Sequence, residues 1–565
     1  MKAGLGSSGR RALVRHRLVG SSLALVALVA VVASACGSSA SSPAVSSAAT
    51  PPATVKLTPT PWASPSASSV SSSSFSATST ATPSATPSAT PSATPAPALA
   101  YTANFYVAIA TRDDDTRESM TQAAVAAAIA SGKVMIPCEF NAIGLTAIAV
   151  TVPATVQCLP LAEMTQKIHD TTASLGLLPP GLVSASVKVL RIDNADLFGS
   201  PTHRANAYPL VAQSDVATGW EVYRPGDIRT LISTGDTCPD RGVSLLAVTY
   251  NRGWDWVLQG GYARYRGITQ SSWDWPVPLI SRAGSTGALA ALISDNDVSV
   301  NDFECPMIST WTQHNNGMVF SIDPRFATTM AKKGGLKVVT LGSNHITDAG
   351  LEGVRETVDD LDKAGIKHTG AGRTLADALA PAVVDANGLK FAFVGWDDIT
   401  GSRGATATRP GVAPMTDDNV CNSIKAARAQ GDVVIAMPQW GWPEYHATIT
   451  ADQRTQRQFF YDCGADGILG SGTHWASWVS IWPSADKTRF AVGSHGNFFF
   501  DQSWSRQTME GVIVEVTFSG TRAVQLRLHP YVVVQGAQPC LLNPATDGAY
   551  VLNQVWHVSG VEVTH

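Results

Sequence analysis

Six short loops of the sequence carry polar side chains that suit metal or acid–base chemistry, and most of them follow an apolar run. The loops are Thr234-Gly235-Asp236-Thr237, Asn301-Asp302-Phe303-Glu304, Gly342-Ser343-Asn344-His345, Pro438-Gln439-Trp440-Gly441, Gly470-Ser471-Gly472-Thr473-His474 and Gly493-Ser494-His495-Gly496-Asn497. Each loop alone is more typical of a turn or a helix cap. Together, their oxygen and imidazole donors suit Zn, Mn, Fe or Mg, and such an ion can activate water and polarise a phosphoryl or carbonyl oxygen. We therefore expect a functional site that uses a divalent metal.

The elements that must position these loops alternate between short strands and helices. The predicted strands are Thr230–Thr234, Leu289–Ile293, Val338–Leu341, Phe391–Val394, Val433–Met437, Gly467–Leu469, Phe490–Val492, Gly511–Phe518 and Val524–Leu528. Helical spacing of apolar residues predicts helices at Leu351–Ala364 and Asp452–Cys463, and residues 386–388 suit a hairpin turn. This alternation predicts an α/β fold with a mixed sheet, whose functional loops gather at the carboxyl ends of the strands.

The same loops form a colinear set of motifs over more than half of the chain. They are Gly235-Asp236-Thr237, Asp302-Phe303-Glu304, Ser343-Asn344-His345 with Asp348, Gln439-Trp440-Gly441 with Glu444, His474, and Gly496-Asn497-Phe498. In this order, residues 229–535 resemble the CapA family, the capsule or poly-γ-glutamate synthesis proteins with a metallophosphoesterase-like fold. The resemblance implies a four-layer sandwich of sheets between helices, with a metal site at one rim.

The resemblance also implies roles for individual side chains. Metal ligands would be Asp236, Glu304, Asn344 and His474. His345 would be a further ligand or the acid near the leaving group, so Asp236 and His345 are the expected catalytic residues. Further candidate site residues are Asp302, Gln439, Glu444, His495 and Asn497.

Three departures from the family pattern bear on the number of metal ions. The family usually has His before Trp-Gly, where this chain has Gln439, and usually has a Gly-x-His-Pro-His loop, where this chain keeps His474 and has Gly472 at the first His. An amide is a weaker transition-metal ligand than imidazole, and glycine has no side chain. Asp302 replaces Asn and compensates only in part. We expect one divalent ion (Mn, Zn, Mg or Fe) rather than two.

Two functions compete at this stage. The first is a metal-dependent hydrolase or transferase that acts on an anionic capsular or poly-γ-glutamate polymer at the cell envelope. The second is a non-catalytic polymer-binding or accessory lipoprotein with a degenerate metal site, which Gln439 and Gly472 favour. A solute-binding role for residues 101–225 is a third, weaker hypothesis. Tryptophans near the motifs suit sugar rings if they are exposed and core packing if they are buried.

The first hundred residues differ from the rest. Residues 1–36 combine a basic start with the apolar run Leu18–Val32, which is typical of an export signal. The run ends in Ala33-Ser34-Ala35-Cys36, which resembles a bacterial lipobox and predicts lipidation of Cys36, with simple cleavage or an uncleaved anchor as alternatives. Residues 37–100 are rich in Ser, Thr, Ala and Pro and predict a disordered spacer, with sugar attachment as the alternative. We expect an exported protein, lipid-anchored on the extracellular face of the cell membrane.

Composition and the remaining regions complete the predicted organisation. The net charge of −4, from 40 Lys+Arg and 44 Asp+Glu, argues against a nucleic-acid partner. Residues 101–225 predict a small α/β module with strands at Phe105–Ile109, Leu145–Val152 and Val187–Ile192 and a helix at Glu118–Ala130. Residues 226–565 form the predicted CapA-like domain.

Eight cysteines are consistent with an oxidising compartment. Cys36 is assigned to the lipid, which leaves seven, so at least one is unpaired. Candidate disulfides are Cys138–Cys158, Cys238–Cys305 and Cys421–Cys463, which would leave Cys540 over.

Overall fold

The computed structural model describes residues 103–138, 158–214, 223–399, 401–483 and 488–559. Every contact described below lies between residues 103 and 559, so a chain that begins at Pro95 contains all of the residues that make these contacts. The predicted export signal with Cys36, the spacer at 37–100 and the strand at Leu145–Val152 lie outside the described residues. The predicted boundary between residues 225 and 226 stays a prediction.

The larger of two main sheets has ten strands. In spatial order they are Pro276–Ala283, Tyr262–Gln270, Gln538–Leu542, Arg522–Val534, Glu510–Ser519, Ile228–Thr237, Val298–Phe303, Val338–Thr340 and Lys367–Thr369, with Asn497–Phe499 beside Ile228–Thr237. Ile228–Thr237 pairs in parallel with Val298–Phe303, and that strand pairs in parallel with Val338–Thr340. The carboxyl ends of these three strands therefore meet at one edge.

The smaller main sheet has six strands. In spatial order they are Ala382–Ala386, Leu389–Asp397, Val433–Gln439, Gly467–Leu469, Thr488–Val492 and Val479–Pro483. Ala382–Ala386 and Leu389–Asp397 form a hairpin in which Ala386 faces Leu389, so the predicted turn at 386–388 is confirmed. Leu389–Asp397, Val433–Gln439 and Gly467–Leu469 run in parallel, and their loops leave at one edge.

The two sheets pack face to face with helices on both outer faces. Successive strand residues point to opposite faces, so Val338 lies in the core between the sheets and Val339 in the core under the outer helices. On the smaller sheet, Ile435 joins the central core and Val434 packs under the other helices. The order helix, sheet, sheet, helix confirms the predicted four-layer α/β sandwich.

The helices of the sandwich are mostly short. They are Arg241–Ser244, Asp255–Leu258, Ala288–Ser294, Arg325–Lys333, Gly350–Ala364, Leu375–Ala378, Asp417–Arg428, Ala451–Cys463, Arg506–Met509 and Ala549–Ser559. Gly350–Ala364 and Ala451–Cys463 confirm the two predicted helices. Each ends at a glycine in the left-handed conformation, Gly365 or Gly464, which terminates a helix without a Cβ clash.

One predicted strand is wrong. Leu289–Ile293 lies in the helix Ala288–Ser294, and the strand that leads into the Asp302 loop is Val298–Phe303. Leu289 and Ile293 stand four residues apart and are both buried, on one face of that helix. A run of five mostly apolar residues fits a buried strand and a short helix equally well, because periodicity needs a longer window to separate them.

The small α/β module packs around its own core. Its helices are Gln122–Ala130, Leu161–Asp170 and Pro201–Arg204, and its strands are Ala103–Tyr106, Ala108–Arg112, Ser119–Met120, Ile136–Pro137, Cys158–Leu159, Gly176–Leu178, Val187–Val189, Arg191–Ile192 and Val211–Ser214. The predicted helix at Glu118 instead begins at Gln122, where the Thr121 side chain caps the first turn. Two strands replace the single one predicted at Phe105–Ile109, and two cover the run Val187–Ile192.

A buried ionic network joins this module to the ten-stranded sheet. Arg527 is 1% exposed and donates to Asp196 Oδ2 at 3.1 Å from two nitrogens and to the Val189 carbonyl at 3.0 Å. Burial by itself would raise the pKa of Glu515, but the hydrogen bond to His529 and the charge of Arg527 outweigh it and lower that pKa to about 2. Arg527 is therefore the buried cation that links the module to the sheet.

All three predicted disulfides are present. They are Cys138–Cys158, Cys238–Cys305 and Cys421–Cys463, and Cys540 is buried without a disulfide partner among the described residues. Cys421 and Cys463 lie in consecutive helices on the outer face of the six-stranded sheet. Within the described ranges, no helix is both long and apolar enough to cross a bilayer.

Candidate metal centre

The carboxyl ends of the two main sheets meet at the site. In the ten-stranded sheet, Asp236 pairs with Asp302 on one side and with Asn497 on the other. The loop that carries Asn497 approaches closely because Gly235 has no side chain: a Cβ at Gly235 would lie 1.9 Å from the Gly496 carbonyl oxygen. The register thus places the predicted residues of three loops side by side.

Asp236, Glu304 and His474 converge. One potential ligand atom from each of these buried residues lies within 4.8 Å of the others. Asp236 is the second-last residue of the strand Ile228–Thr237, Glu304 follows the strand Val298–Phe303, and His474 comes from the loop after Gly467–Leu469. The structure therefore brings together three of the four predicted ligands. Their role as ligands stays a prediction.

The carboxylates of the site are buried with unpaired oxygens. Both oxygens of Asp236, both of Asp302 and Oε2 of Glu304 have no hydrogen-bond partner among the described residues. Burial, reinforced by the charges of Glu304 and Asp236, raises the pKa of Asp302 well above its usual range. Burial and the charge of Asp236 likewise raise the pKa of Glu304 to about 8. Three adjacent carboxylates in a buried position need a positive partner to be stable as anions.

The His474 imidazole is held from several sides. Its Nδ1 lies 2.8 Å from Asn497 Oδ1 and 3.2 Å from Asp236 Oδ2. Burial would lower the pKa of His474, but the close approach of the Asp236 carboxylate and the charge of Glu304 outweigh it and raise that pKa to about 10. Tyr445 stacks on the ring, and Phe500 contacts it edge-on. Asn497 thus orients the ring, as outer hydrogen bonds orient ligand histidines.

Gln439 connects the two sheets. It is 1% exposed, its Nε2 donates to Glu304 Oε1 at 3.1 Å, and its Oε1 accepts from the Asn344 backbone N–H at 2.6 Å. Both ends of the amide are therefore hydrogen-bonded, and Gln439 holds Glu304 in place. Asn344 is positioned beside the site through this bond.

The Gln439 and Gly472 departures are physically linked. Gly472 has φ +95°, and a Cβ there would lie 2.6 Å from Gln439 Cγ. A larger residue at 472 would collide with the Gln439 side chain and would also strain the backbone. The two differences from the family pattern therefore form one local arrangement.

His345 lies outside the triad. Its Nδ1 is 2.9 Å from Asp348 Oδ2, and its ring meets Phe320 edge-on. Asp348 Oδ2 also accepts the Phe320 backbone N–H at 2.9 Å, so the carboxylate fixes both neighbours. This geometry suits a positioned proton donor, which is one of the two roles predicted for His345.

The remaining predicted residues surround the triad. Glu444 Oε2 lies 4.0 Å from His474 Nε2 at the more open side of the site. His495 is buried, with Nδ1 3.1 Å from the Gly470 carbonyl oxygen, and burial lowers its pKa to about 4, so it is neutral. Asp302 is buried beside Asp236, its partner in the register of the two parallel strands.

Sequence reasoning assigned no role to four residues that build the site. Asp348 contacts His345, and its position three residues after His345 was the sequence signal that could have indicated this pair. Tyr445 and Phe500 pack on His474, and Phe320 packs on His345. Aromatic residues of this kind carry no distinguishing sequence signal, because most of them fill cores.

The residues present fit a divalent cation. The site offers buried carboxylate oxygens without a hydrogen-bond partner and an imidazole, that of His474, held by the Asn497 amide. Mn, Zn, Fe and Mg bind to ligands of this kind in proteins. Asp236, Glu304 and His474 would hold the ion, and Gln439 and Asn497 would fix two of them. The chain supplies no imidazole at 439 or 472 for a second ion.

A family model, described as the bacterial capsule synthesis protein PGA_cap, matches residues 230–502. The chain is 28% identical over 230 residues to the capsule biosynthesis protein CapA of Bacillus anthracis, covering 40% of this chain and 54% of the relative. It is 29% identical over 180 residues to the PGA biosynthesis protein CapA of Bacillus subtilis, covering 32% and 46%. The chain thus spans about half the length of the curated relatives it matches.

Among solved structures, the chain is similar to the calcineurin-like phosphoesterase YfkN of Bacillus subtilis. The likeness covers 59% of this chain and 98% of that one, with 13% identity and a TM-score of 0.27. Such a value carries no functional information, and the four layers are established by the chain's own sheets and helices. The matched residues 230–502 include every residue of the centre, so the part of the chain that carries the site is the part that matches the family of bacterial capsule synthesis proteins and its CapA relatives.

Proposed function

We propose that the protein acts in capsule or poly-γ-glutamate synthesis at the cell envelope as a hydrolase or transferase with one divalent metal ion. The names of the related proteins support the pathway class. The observation that carries the proposal is the convergence of Asp236, Glu304 and His474 with unpaired carboxylate oxygens. The substrate would be an anionic polymer.

A bound divalent ion would polarise the scissile bond or activate water. The chain's own residues then have separate tasks. Gln439 and Asn497 hold Glu304 and His474 in place, and Tyr445 and Phe500 cover the His474 ring. His345, fixed by Asp348, would donate a proton to the leaving group.

An accessory role in holding or delivering the polymer is the second candidate. The linked arrangement of Gln439 and Gly472 favours it, because it removes two side chains that could bind a second ion. In this case the centre would bind a cation for structure or for contact with polymer carboxylates, without turnover.

A turnover assay separates the two candidates. Pro95–His565, incubated with Mn, Zn or Mg, would be tested on phosphoesters and on γ-glutamyl polymer, together with Asp236→Asn and His345→Gln. If the protein is an enzyme, we expect metal-dependent turnover that each substitution lowers at least about 100-fold. The control His557→Gln, at an exposed histidine on the helix Ala549–Ser559, should leave turnover unchanged. Metal and polymer binding without turnover would establish the accessory role and refute the enzyme.

We also propose that the chain is exported and held at the membrane by a lipid on Cys36. The basic start, the apolar run Leu18–Val32 and the small residues before Cys36 support this. Metabolic labelling with a fatty-acid analogue tests it: the label is expected on the wild type and absent from Cys36→Ser. Equal labelling of both chains would contradict the proposal.

A further inference from the structure

Exposed apolar side chains are concentrated on one hairpin, formed by Tyr262–Gln270 and Pro276–Ala283 and here named the aromatic hairpin. Of the eleven large apolar side chains exposed in the described part of the chain, five belong to it. They are Tyr262, Ile268, Trp273, Trp275 and Leu279. Trp273 is 68% exposed and Trp275 50%. Such a concentration marks an interaction surface, because single exposed apolar residues are normally scattered.

The tip of the aromatic hairpin is held in one shape. The Ser271 backbone N–H donates to the Trp275 carbonyl at 2.8 Å, and the N–H groups of Trp273 and Trp275 donate to Ser271 Oγ at 3.3 and 3.2 Å. Ser271 Oγ in turn donates to the Trp504 carbonyl at 2.8 Å. The two tryptophans are therefore presented to solvent by an ordered turn.

The aromatic hairpin is basic in an acidic chain. Arg264, Arg266 and Arg282 are exposed on it, against the single carboxylate Asp274, whereas the whole chain has a net charge of −4. Tryptophan prefers the level of lipid headgroups, and arginine adds attraction to anionic lipids. An anionic bilayer surface satisfies both features at once.

The outermost strand of the aromatic hairpin is unsuited to pairing with a strand of another protein. Pro276 and Pro278 lie in the outermost strand of the ten-stranded sheet, where neither supplies a backbone N–H. Prolines on an edge strand block the addition of a further strand from a second copy or another protein.

We propose that the aromatic hairpin is a peripheral membrane-contact site for an anionic lipid surface. It also connects to the metal centre, because Trp504, which accepts from Ser271, packs on Tyr445, and Tyr445 stacks on His474. Contact of the hairpin with the bilayer would hold the centre close to the membrane surface. The proposal is independent of the chemistry proposed for the centre.

Vesicle co-sedimentation tests the proposal. Pro95–His565, which lacks the N-terminal apolar run, would be mixed with vesicles of phosphatidylcholine alone or with 30% phosphatidylglycerol, a composition chosen for the assay. The chain is expected to bind the anionic vesicles, and Trp273→Ala with Trp275→Ala to weaken binding by about tenfold or more. Arg264→Gln and Arg266→Gln are each expected to weaken binding about fivefold.

The matched control is Met318→Ala with Val319→Ala, which removes two exposed apolar side chains, 65% and 63% exposed, from another loop. It is expected to leave vesicle binding within about twofold of wild type. No binding of the wild type to anionic vesicles, or equal binding of the hairpin variants, would overturn the proposal. If the tryptophan variant binds vesicles as the wild type does but loses self-association or polymer binding, the proposal is overturned. The hairpin would then bind a second copy of the chain or the polymer.

Discussion

The Gln439 brace gives the sharpest prediction about the centre. Gln439→Leu keeps most of the side-chain volume and removes both hydrogen bonds, to Glu304 Oε1 and from the Asn344 N–H. Each buried group that loses its partner costs about 1–3 kcal/mol, so with two such groups the free energy of unfolding should fall by about 2–6 kcal/mol. Loss of an outer hydrogen bond to a ligand should weaken divalent-metal binding about 10–100-fold.

Two assays on Pro95–His565 measure these effects. Calorimetric titration with Mn or Zn gives the metal Kd, and urea unfolding followed by tryptophan fluorescence gives the stability. Gln458→Leu is the matched control, because Gln458 bonds the exposed Asp462 carboxylate on an outer helix and should change neither quantity. A metal Kd within twofold of wild type in Gln439→Leu would refute the reasoning that this amide positions Glu304.

The interface, the ionisation of a buried acid and a disulfide give three further predictions. Arg527→Met should destabilise the chain by about 3–5 kcal/mol, because it leaves Asp196 buried without its partner; a loss below about 1 kcal/mol in urea unfolding would contradict this. The lowered pKa of Glu515 should add up to about 3 kcal/mol of stability that is full above about pH 4.5 and is lost as pH falls toward 2. In Glu515→Gln, the free energy of unfolding should fall less steeply as pH drops from about 4.5 toward 2, and an unchanged pH dependence in urea unfolding would refute this. Replacing Cys421 and Cys463 by serine should cost about 4 kcal/mol, by opening a link between residues 42 apart, without changing metal content; lost metal would contradict the separation of this disulfide from the centre.

Much of the fold could be predicted from the sequence because the relevant signals are local. Alternating strand and helix patterns indicated the order of most elements, and a glycine ends each of the two helices predicted at Leu351–Ala364 and Asp452–Cys463. Two of the three disulfides followed from the proximity of Cys138 and Cys158 and from the placement of Cys421 and Cys463 in consecutive helices, and Cys238–Cys305 was a third candidate pair. The failure at Leu289–Ile293 arose because five residues contain too little periodicity to separate a strand from a helix.

The convergence of Asp236, Glu304 and His474 was also predictable, since the carboxyl ends of neighbouring parallel strands share an edge. The contacts that support these three residues were not predictable from the sequence. The Gln439–Gly472 packing depends on a backbone φ and a side-chain position that no residue pattern encodes. Arg527 appeared as an unremarkable strand residue, because its partners come from a module more than 300 residues away in sequence.

Metal content tests the central claim most directly. Pro95–His565, purified without chelator and incubated with Mn, Zn, Fe or Mg, would be measured by elemental mass spectrometry beside Asp236→Asn and His474→Gln, with circular dichroism to verify folding and His368→Gln as the control. We predict about one ion per chain in the wild type and control, and loss of that ion in both site variants. No bound ion in the wild type, or equal content in the folded site variants, would contradict a metal centre at Asp236, Glu304 and His474.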